Sequence, residues 1–228
     1  MKTADGRWLA LWLSVLAILS LWLLLFLNGP SRVLVYKGFL NSALICTLVI
    51  FFSMVLGWAT AIIMHYLQKS KTPLYLLFTF LLNIIRSIPQ IIGVLFGYVI
   101  ITSLVLKGIV LSPVIVSILM AFSMSIFIFN EISDLILERI AYYRKLDFFD
   151  AMRVCGISEW HIVNSDIILK NSRIHLINKM ISVFGAALFL QCSVDFIISV
   201  GLSTQVSSLN LPSTLGSLLA KVDSKQDI

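Results

Sequence analysis

Residues 147–171 read DFFDAMRVCGISEWHIVNSDIILKN and form the longest polar break between strongly apolar segments. The pattern predicts two short helices joined at Gly156. Asp147 is placed to cap the first, its carboxylate accepting from free N–H groups of the opening turn, and Asp150 three positions on completes a capping-box-like pair. Gly156 supplies the left-handed position that closes this helix. Ser158 is placed to cap the second helix, with Glu159 at the positive end of its dipole. The first helix is only about two turns long, well under the ~12 to 15 residues at which an isolated helix becomes marginal in water. It therefore needs a surface to dock against. Phe148, Phe149, Met152 and Cys155 give it an apolar face, and Asp147, Asp150 and Arg153 give it a wet one.

On either side of this break the chain is oily. Hydrophobic residues make up 59% and charged residues 12%, with a mean hydropathy of +1.00, where an ordinary soluble domain carries ~25% charged residues. The fold class expected is an all-α integral membrane chain in contact with lipid, because only helices satisfy every backbone polar group internally in such segments. The net charge of +6 does not indicate nucleic acid. Its basic residues fall in short loops between apolar spans, as the positive-inside rule describes. Cys46 and Cys192 lie within apolar spans and Cys155 in the polar loop, so neither a disulfide framework nor a metal-ligand spacing is present.

About five spans are expected. Trp8 to Leu27 supplies about 20 apolar residues after Lys2 and Arg7, enough for a first span with its N-terminus inside. Asn28-Gly29-Pro30-Ser31 reads as the turn that ends it. The second span, about Phe39 to Leu67, carries Ser53, Gly57 and Ala61 at four-residue spacing, which suits close helix packing. His65 near its inner end reads as an interfacial residue, and Gln68 to Thr72, with Lys69 and Lys71, as an inner turn. Residues 74–106 are too long for one upright span. Pro89 divides them into a helix at the inner interface, Leu74 to Ile85, and a crossing helix, Gln90 to Leu106, whose Gly93 and Gly97 suit close packing. Pro113 to Ile140 is the fourth span and about Ile174 to Leu202 the fifth, with Ser182, Gly185, Ala186 and Ala187 as contact residues and Lys179 snorkelling inward. Leu209 to Leu219 is too short to cross, and a re-entrant segment is one arrangement open to it.

Five charged residues stand out inside or beside these spans. Arg86 belongs near the inner surface, where it can reach the headgroups. Glu131, Asp134 and Glu138 recur at helical spacing and share one face, which is either a gate or an ordinary wet or ion-paired surface facing Arg86 or Arg139. Asp195 lies well along the fifth span. It either faces a translocation pathway or sits in water at the outer mouth.

The loop also resembles a known family signature. Asp150-Ala151-Met152 with Gly156 after three residues, then Ile167-Ile168-Leu169, resembles the E-A-A-x-x-x-G loop of ABC-importer permeases. The longer run from Asp147 to Ser158 is most similar to the dipeptide, oligopeptide and nickel branch. Asn83-Ile-Ile-Arg-Ser-Ile-Pro89 resembles that branch's D-x-x-x-S-I-P segment, with Asn83 where aspartate is usual. Ser199-Val-Gly-Leu-Ser203 followed by Pro212-Ser-Thr-Leu-Gly216 resembles its S-F-L-G-L-G and P-x-x-W-G segments, with Leu215 in place of tryptophan. The proline usual near Leu169 or Lys170 and the span usual after the P-x-x-W-G segment are absent from this sequence.

The resemblance implies a type I importer permease bundle over residues 39–220, preceded by an N-terminal helix and outer turn (1–38) and followed by a tail (221–228). The loop 141–173 would carry a cytoplasmic coupling helix. Asp147, Phe148, Phe149, Asp150, Ala151, Met152 and Gly156 would then engage an ATPase subunit, while Asp195, Glu131, Asp134 and Arg86 are pathway or gate candidates and Pro89 marks the helix break. The implied partners are ATPase subunits, a second permease chain and an extracytoplasmic solute-binding protein, in a bacterial inner membrane. No phosphate-binding G-x-x-x-x-G-K-[ST] loop, H-E-x-x-H or G-x-S-x-G occurs in the chain, so ATP would be bound by a partner and no enzyme activity is expected. Peptides or nickel are the solutes that the branch implies. The alternatives are amino acids or another small solute, or a permease-like scaffold that has ceased to transport.

Overall fold

The computed structural model describes residues 29–70, 73–109, 112–201 and 212–219, with scattered positions between 11 and 25. Among these the secondary structure is helical. The helices are α1 (Gly29–Ser70), α2 (Pro73–Ser87), α3 (Gln90–Leu106), α4 (Pro113–Tyr143), α5 (Asp147–Val154), α6 (Glu159–His161), α7 (Arg173–Gly201) and α8 (Leu215–Leu219), with a π-helix at Ile162–Asn171 between α6 and α7. Three of them, α1, α4 and α7, are long and apolar enough to cross a membrane, and the bent pair α2 and α3 brings the number to as many as four. The expected first span, Trp8 to Leu27, lies largely outside the described residues, as do Lys71, Thr72, Leu209 and the tail after 219.

Two boundaries are corrected. Gln68, Lys69 and Ser70, expected in the inner turn, are the last residues of α1. Gly29 and Pro30, expected in a turn, open α1, which therefore begins about ten residues before Phe39. The reason is local, since proline in a first turn loses no helical hydrogen bond and its fixed φ is already helical. Pro89 behaves as its chemistry requires. It holds an extended ψ of 128°, and α2 and α3 meet there at 89°.

The bundle is built around α4. Half of its most apolar stretch is buried within the chain, against 28% for α1 and 39% for α7, so the other helices pack around it. Ile128, Ile132, Ile136 and Ile140 recur at four-residue spacing along its buried stripe, facing Val49 and Ala61 of α1 and Val183 and Ala187 of α7 across one continuous core. Small residues set the approach. A Cβ added at Gly57 would lie 2.9 Å from Ile132 Cβ and 3.0 Å from the Phe129 carbonyl, with Ser53 and Ala61 fully buried on the same face. Gly93 and Gly97 of α3 admit Phe127 and Ser123 of α4 in the same way. On α7 the expectation is met only in part. Ala187 is buried, but Ser182 and Gly185 are exposed, and a Cβ at Gly185 would meet nothing within 4 Å.

These contacts predict a stability difference. Gly57→Leu should destabilise the detergent-purified chain by about 1–3 kcal/mol, the usual penalty of overpacking against a neighbour that cannot retreat. Gly185→Leu should stay within about 0.5 kcal/mol. Equal melting temperatures for the two variants would show that the α1–α4 approach is looser than this.

Candidate functional site

The polar loop begins with a correction. Asp147 is the first helical residue rather than the cap, because Leu146 occupies the N-cap position with an extended backbone and no side-chain capping bond. Asp147 and Asp150 fall in the first turn, where they complement the helix dipole. The C-terminal end is as expected. Gly156 has φ +80°, its N–H donates to the Arg153 carbonyl at 3.0 Å, and the Ile157 N–H donates to the Met152 carbonyl at 3.2 Å. This pair of bonds is the Schellman closure, with Ile157 and Met152 supplying its apolar contact.

The apolar face of α5 packs on the chain's own bundle. Phe149 is 3% exposed, and Phe148 and Met152 are half-buried against the same core. Phe148 makes an edge contact with Tyr143, and the Arg144 guanidinium lies 5.9 Å from the Phe149 ring centre. Cys155, expected on the apolar face, is exposed. What α5 presents outward is Asp147, Asp150, Ala151, Arg153 and Val154, the last 88% exposed.

After Gly156 the chain turns to α1. Ser158 caps α6 as expected, its hydroxyl accepting from the His161 N–H at 3.4 Å. Glu159 Oε1 lies 3.2 Å from Nε2 of buried His65. His65, near the inner end of its helix, is thus a buried partner of the loop. The Trp58 indole N–H donates to Asn164 Oδ1 at 2.8 Å, and Trp160 meets both the Trp58 and Tyr66 rings. The ten-residue π-helix then buries Ile162, Val163, Asp166, Ile167 and Ile168. Lys170 Nζ donates to Asp166 Oδ1 at 2.7 Å.

Two of the three acids on the α4 face, Glu131 and Asp134, are paired. Arg86 at the end of α2 bonds Asp134, and Lys179 of α7 lies 2.8 Å from Glu131, which also accepts from Gln90 Nε2 at 3.3 Å. Four helices therefore converge on two carboxylates beside the Pro89 break. Arg139, the other candidate partner, lies over Tyr142 and Tyr143 and donates to Ser172 Oγ.

Asp195 is buried within the bundle. It is 8% exposed, which corrects the reading that sets it at a wet mouth. Its Oδ2 accepts from the Thr214 hydroxyl at 2.6 Å. The segment that carries Thr214 is further held by Asn41 Nδ2, which donates to the Ser213 carbonyl at 2.8 Å, and by the Leu215 N–H, which donates to Ser42 Oγ at 3.1 Å. Gly216 lets the segment approach α7 closely, since a Cβ there would collide with the Cys192 backbone. The short helix α8 packs on α1 and α7.

Residues 53–220 match the family of binding-protein-dependent transport system inner membrane components. The chain belongs to that family. The match takes in the loop, the paired carboxylates, Asp195 and α8, and it makes the chain a multi-pass permease subunit of an ABC importer, a family that works with ATPase and solute-binding partners. No curated protein and no solved structure matches the chain.

Of this permease's contacts, the sequence pattern anticipated the Gly156 closure and the Ser158 cap, and it offered Arg86 as one of two partners for the acidic face of α4. It did not anticipate Lys179–Glu131, Trp58–Asn164 or His65–Glu159. A lysine and a histidine inside long apolar helices were the available signal, because each needs a partner when buried.

Proposed function

We propose that this permease subunit moves peptide-type solutes, with nickel as the alternative cargo, and that residues 147–156 form the coupling helix that docks on the ATPase. The carrying observation is the two-sided character of α5. Phe149 is committed to the permease's own core, while Asp150, Ala151 and Val154 face outward from a helix fixed at its far end by the Gly156 closure. A helix of eight residues is held by packing rather than propensity, and a second surface against its outer face completes that packing. In this arrangement Phe148 and Met152 support the helix from behind, and the outward residues make the contact. The paired residues Arg86, Asp134, Glu131 and Lys179 line a gate at the loop end of the pathway, and Asp195 anchors α8. The peptide assignment rests on the three branch-like segments around Pro89, Gly156 and Gly216.

The test is co-purification in mild detergent from the native membrane, with mass spectrometry of what accompanies the tagged chain. An ATPase and a second permease chain are expected. Val154→Glu should reduce the recovered ATPase at least about tenfold by burying a charge without a partner, and leave the melting temperature of the chain within a degree or two. Full ATPase recovery with Val154→Glu would remove α5 as the docking surface. Labelled dipeptide and nickel uptake in a strain lacking the subunit would separate the two cargoes.

A further inference from the structure

The polar loop is tethered on either side of Gly156, and to different helices. Before Gly156, α5 rests on the end of α4 through Tyr143, Phe148 and the Arg144–Phe149 contact. After Gly156, Glu159 meets His65, Asn164 meets Trp58, and Trp160 meets Trp58 and Tyr66, all on α1, before Asn171 and Ser172 return to Tyr143 and Arg139 of α4. Trp58 and His65 are seven residues apart, two turns of one helix face. Gly156 is the joint between the two tethers, and its closure makes them one rigid corner.

The chemistry of the second tether exceeds what packing needs. His65 is 4% exposed, and an apolar residue would fill that site without desolvating an imidazole. With Glu159 ionised it can only accept, and the Nε2–H tautomer of His65 then donates to Glu159 Oε1 in a directional, charge-assisted bond. Trp58 adds a second directional bond, its indole N–H donating to Asn164 Oδ1, about 10 Å along the same helix at 1.5 Å per residue. Asn164 Nδ2 in turn donates to the Trp160 carbonyl at 3.1 Å, so the receiving side is itself cross-braced. Two separated directional bonds with a ring stack between them resist both sliding and rotation, which one hydrophobic contact does not.

We infer that His65–Glu159 and Trp58–Asn164 form a latch through which displacement of the loop helix α5 is delivered to α1, with these four as positioning residues. The inference rests on the coupling reading of α5. Since α1 also carries Gly57 against α4 and Ser42 against α8, a push received at His65 reaches both the central helix and the far end of the bundle.

Hydrogen-exchange mass spectrometry of the complete importer, compared without nucleotide and trapped with ATP and vanadate, tests this. In the native complex the exchange of both residues 147–161 and residues 54–66 should change on trapping. In His65→Ala and in Glu159→Ala, the change should persist at 147–161 and fall about tenfold at 54–66, the factor that one hydrogen bond to a charged group supplies. The double variant should be no worse than either single one, and His65→Gln should restore the response because it keeps a donor. ATPase recovery, which a misfolded loop would abolish, should stay unchanged. An undiminished α1 response in both single variants, or a native complex whose α1 ignores trapping while 147–161 responds, would overturn the latch and leave the coupling reading standing. A native complex in which 147–161 itself does not respond would overturn both.

Discussion

Gly156→Val is expected to abolish solute uptake while the chain still inserts and folds, whereas Gly156→Asn is expected to retain most of it. The two differ only in backbone tolerance. Gly156 sits at φ +80°, and a Cβ there would meet nothing within 4 Å, so no variant fails for want of space. Asparagine visits the left-handed region routinely, while a β-branched residue is a genuine outlier there. Holding valine at that angle costs about 1–3 kcal/mol. A two-turn helix has little margin to absorb it, and the chain would escape by opening the Gly156–Arg153 and Ile157–Met152 bonds. The corner between α5 and α6 would then become a hinge. ATP hydrolysis by the assembled importer should continue in Gly156→Val, or even lose its dependence on solute, while uptake in proteoliposomes falls by an order of magnitude or more. Normal solute-stimulated ATPase together with normal uptake in this variant would exclude a coupling role for the loop.

That corner was also the most legible part of the sequence. A glycine after a two-turn amphipathic run, followed by serine and glutamate, has one economical geometry, and the structure adopts it. The Pro89 break and the Gly57 and Gly93 approaches were legible for the same reason: each depends on the covalent chemistry of one residue. What escaped depends on tertiary partners. The apolar face of α5 fits equally well an external protein or the permease's own core, and Phe149 took the core. The π-helix at Ile162–Asn171 has no sequence signature, because i to i+5 bonding is chosen by the buried set it creates, here Ile162, Val163, Asp166 and Ile167. Asp195 could not be placed while its partner Thr214 stood across a polar connection of unknown path. Pro30 read as a turn because proline ends one helix and begins another with the same chemistry.

The paired carboxylates carry the second large expectation. Lys179→Glu should cut uptake at least tenfold, and adding Glu131→Lys should recover much of the loss. Both partners are 29% exposed, and Arg86 and Asp134 are 37% and 56% exposed. Charges this open cannot be turned toward hydrocarbon, so the face they share meets water or another protein chain. That face lies beside the 89° break at Pro89 and joins α2, α3, α4 and α7, so any motion separating those helices must break or exchange its bonds. Ion pairs this exposed contribute about 0.2–1 kcal/mol each, so together they hold such a junction closed at rest only lightly, within reach of a partner's nucleotide-driven closure. Two facing carboxylates in Lys179→Glu would repel and hold the junction open. The expected signature is uncoupled ATP hydrolysis together with poor uptake, which differs from the uniform loss of both that a misfolded bundle would give. The reversed pair in the double variant restores attraction without restoring the original residues, so recovery there separates electrostatic gating from any requirement for a lysine at 179. Failure of the double variant to recover, with its fold intact by thermal unfolding, would mean that the junction is read by geometry or by the cargo and not by the sign of its charges.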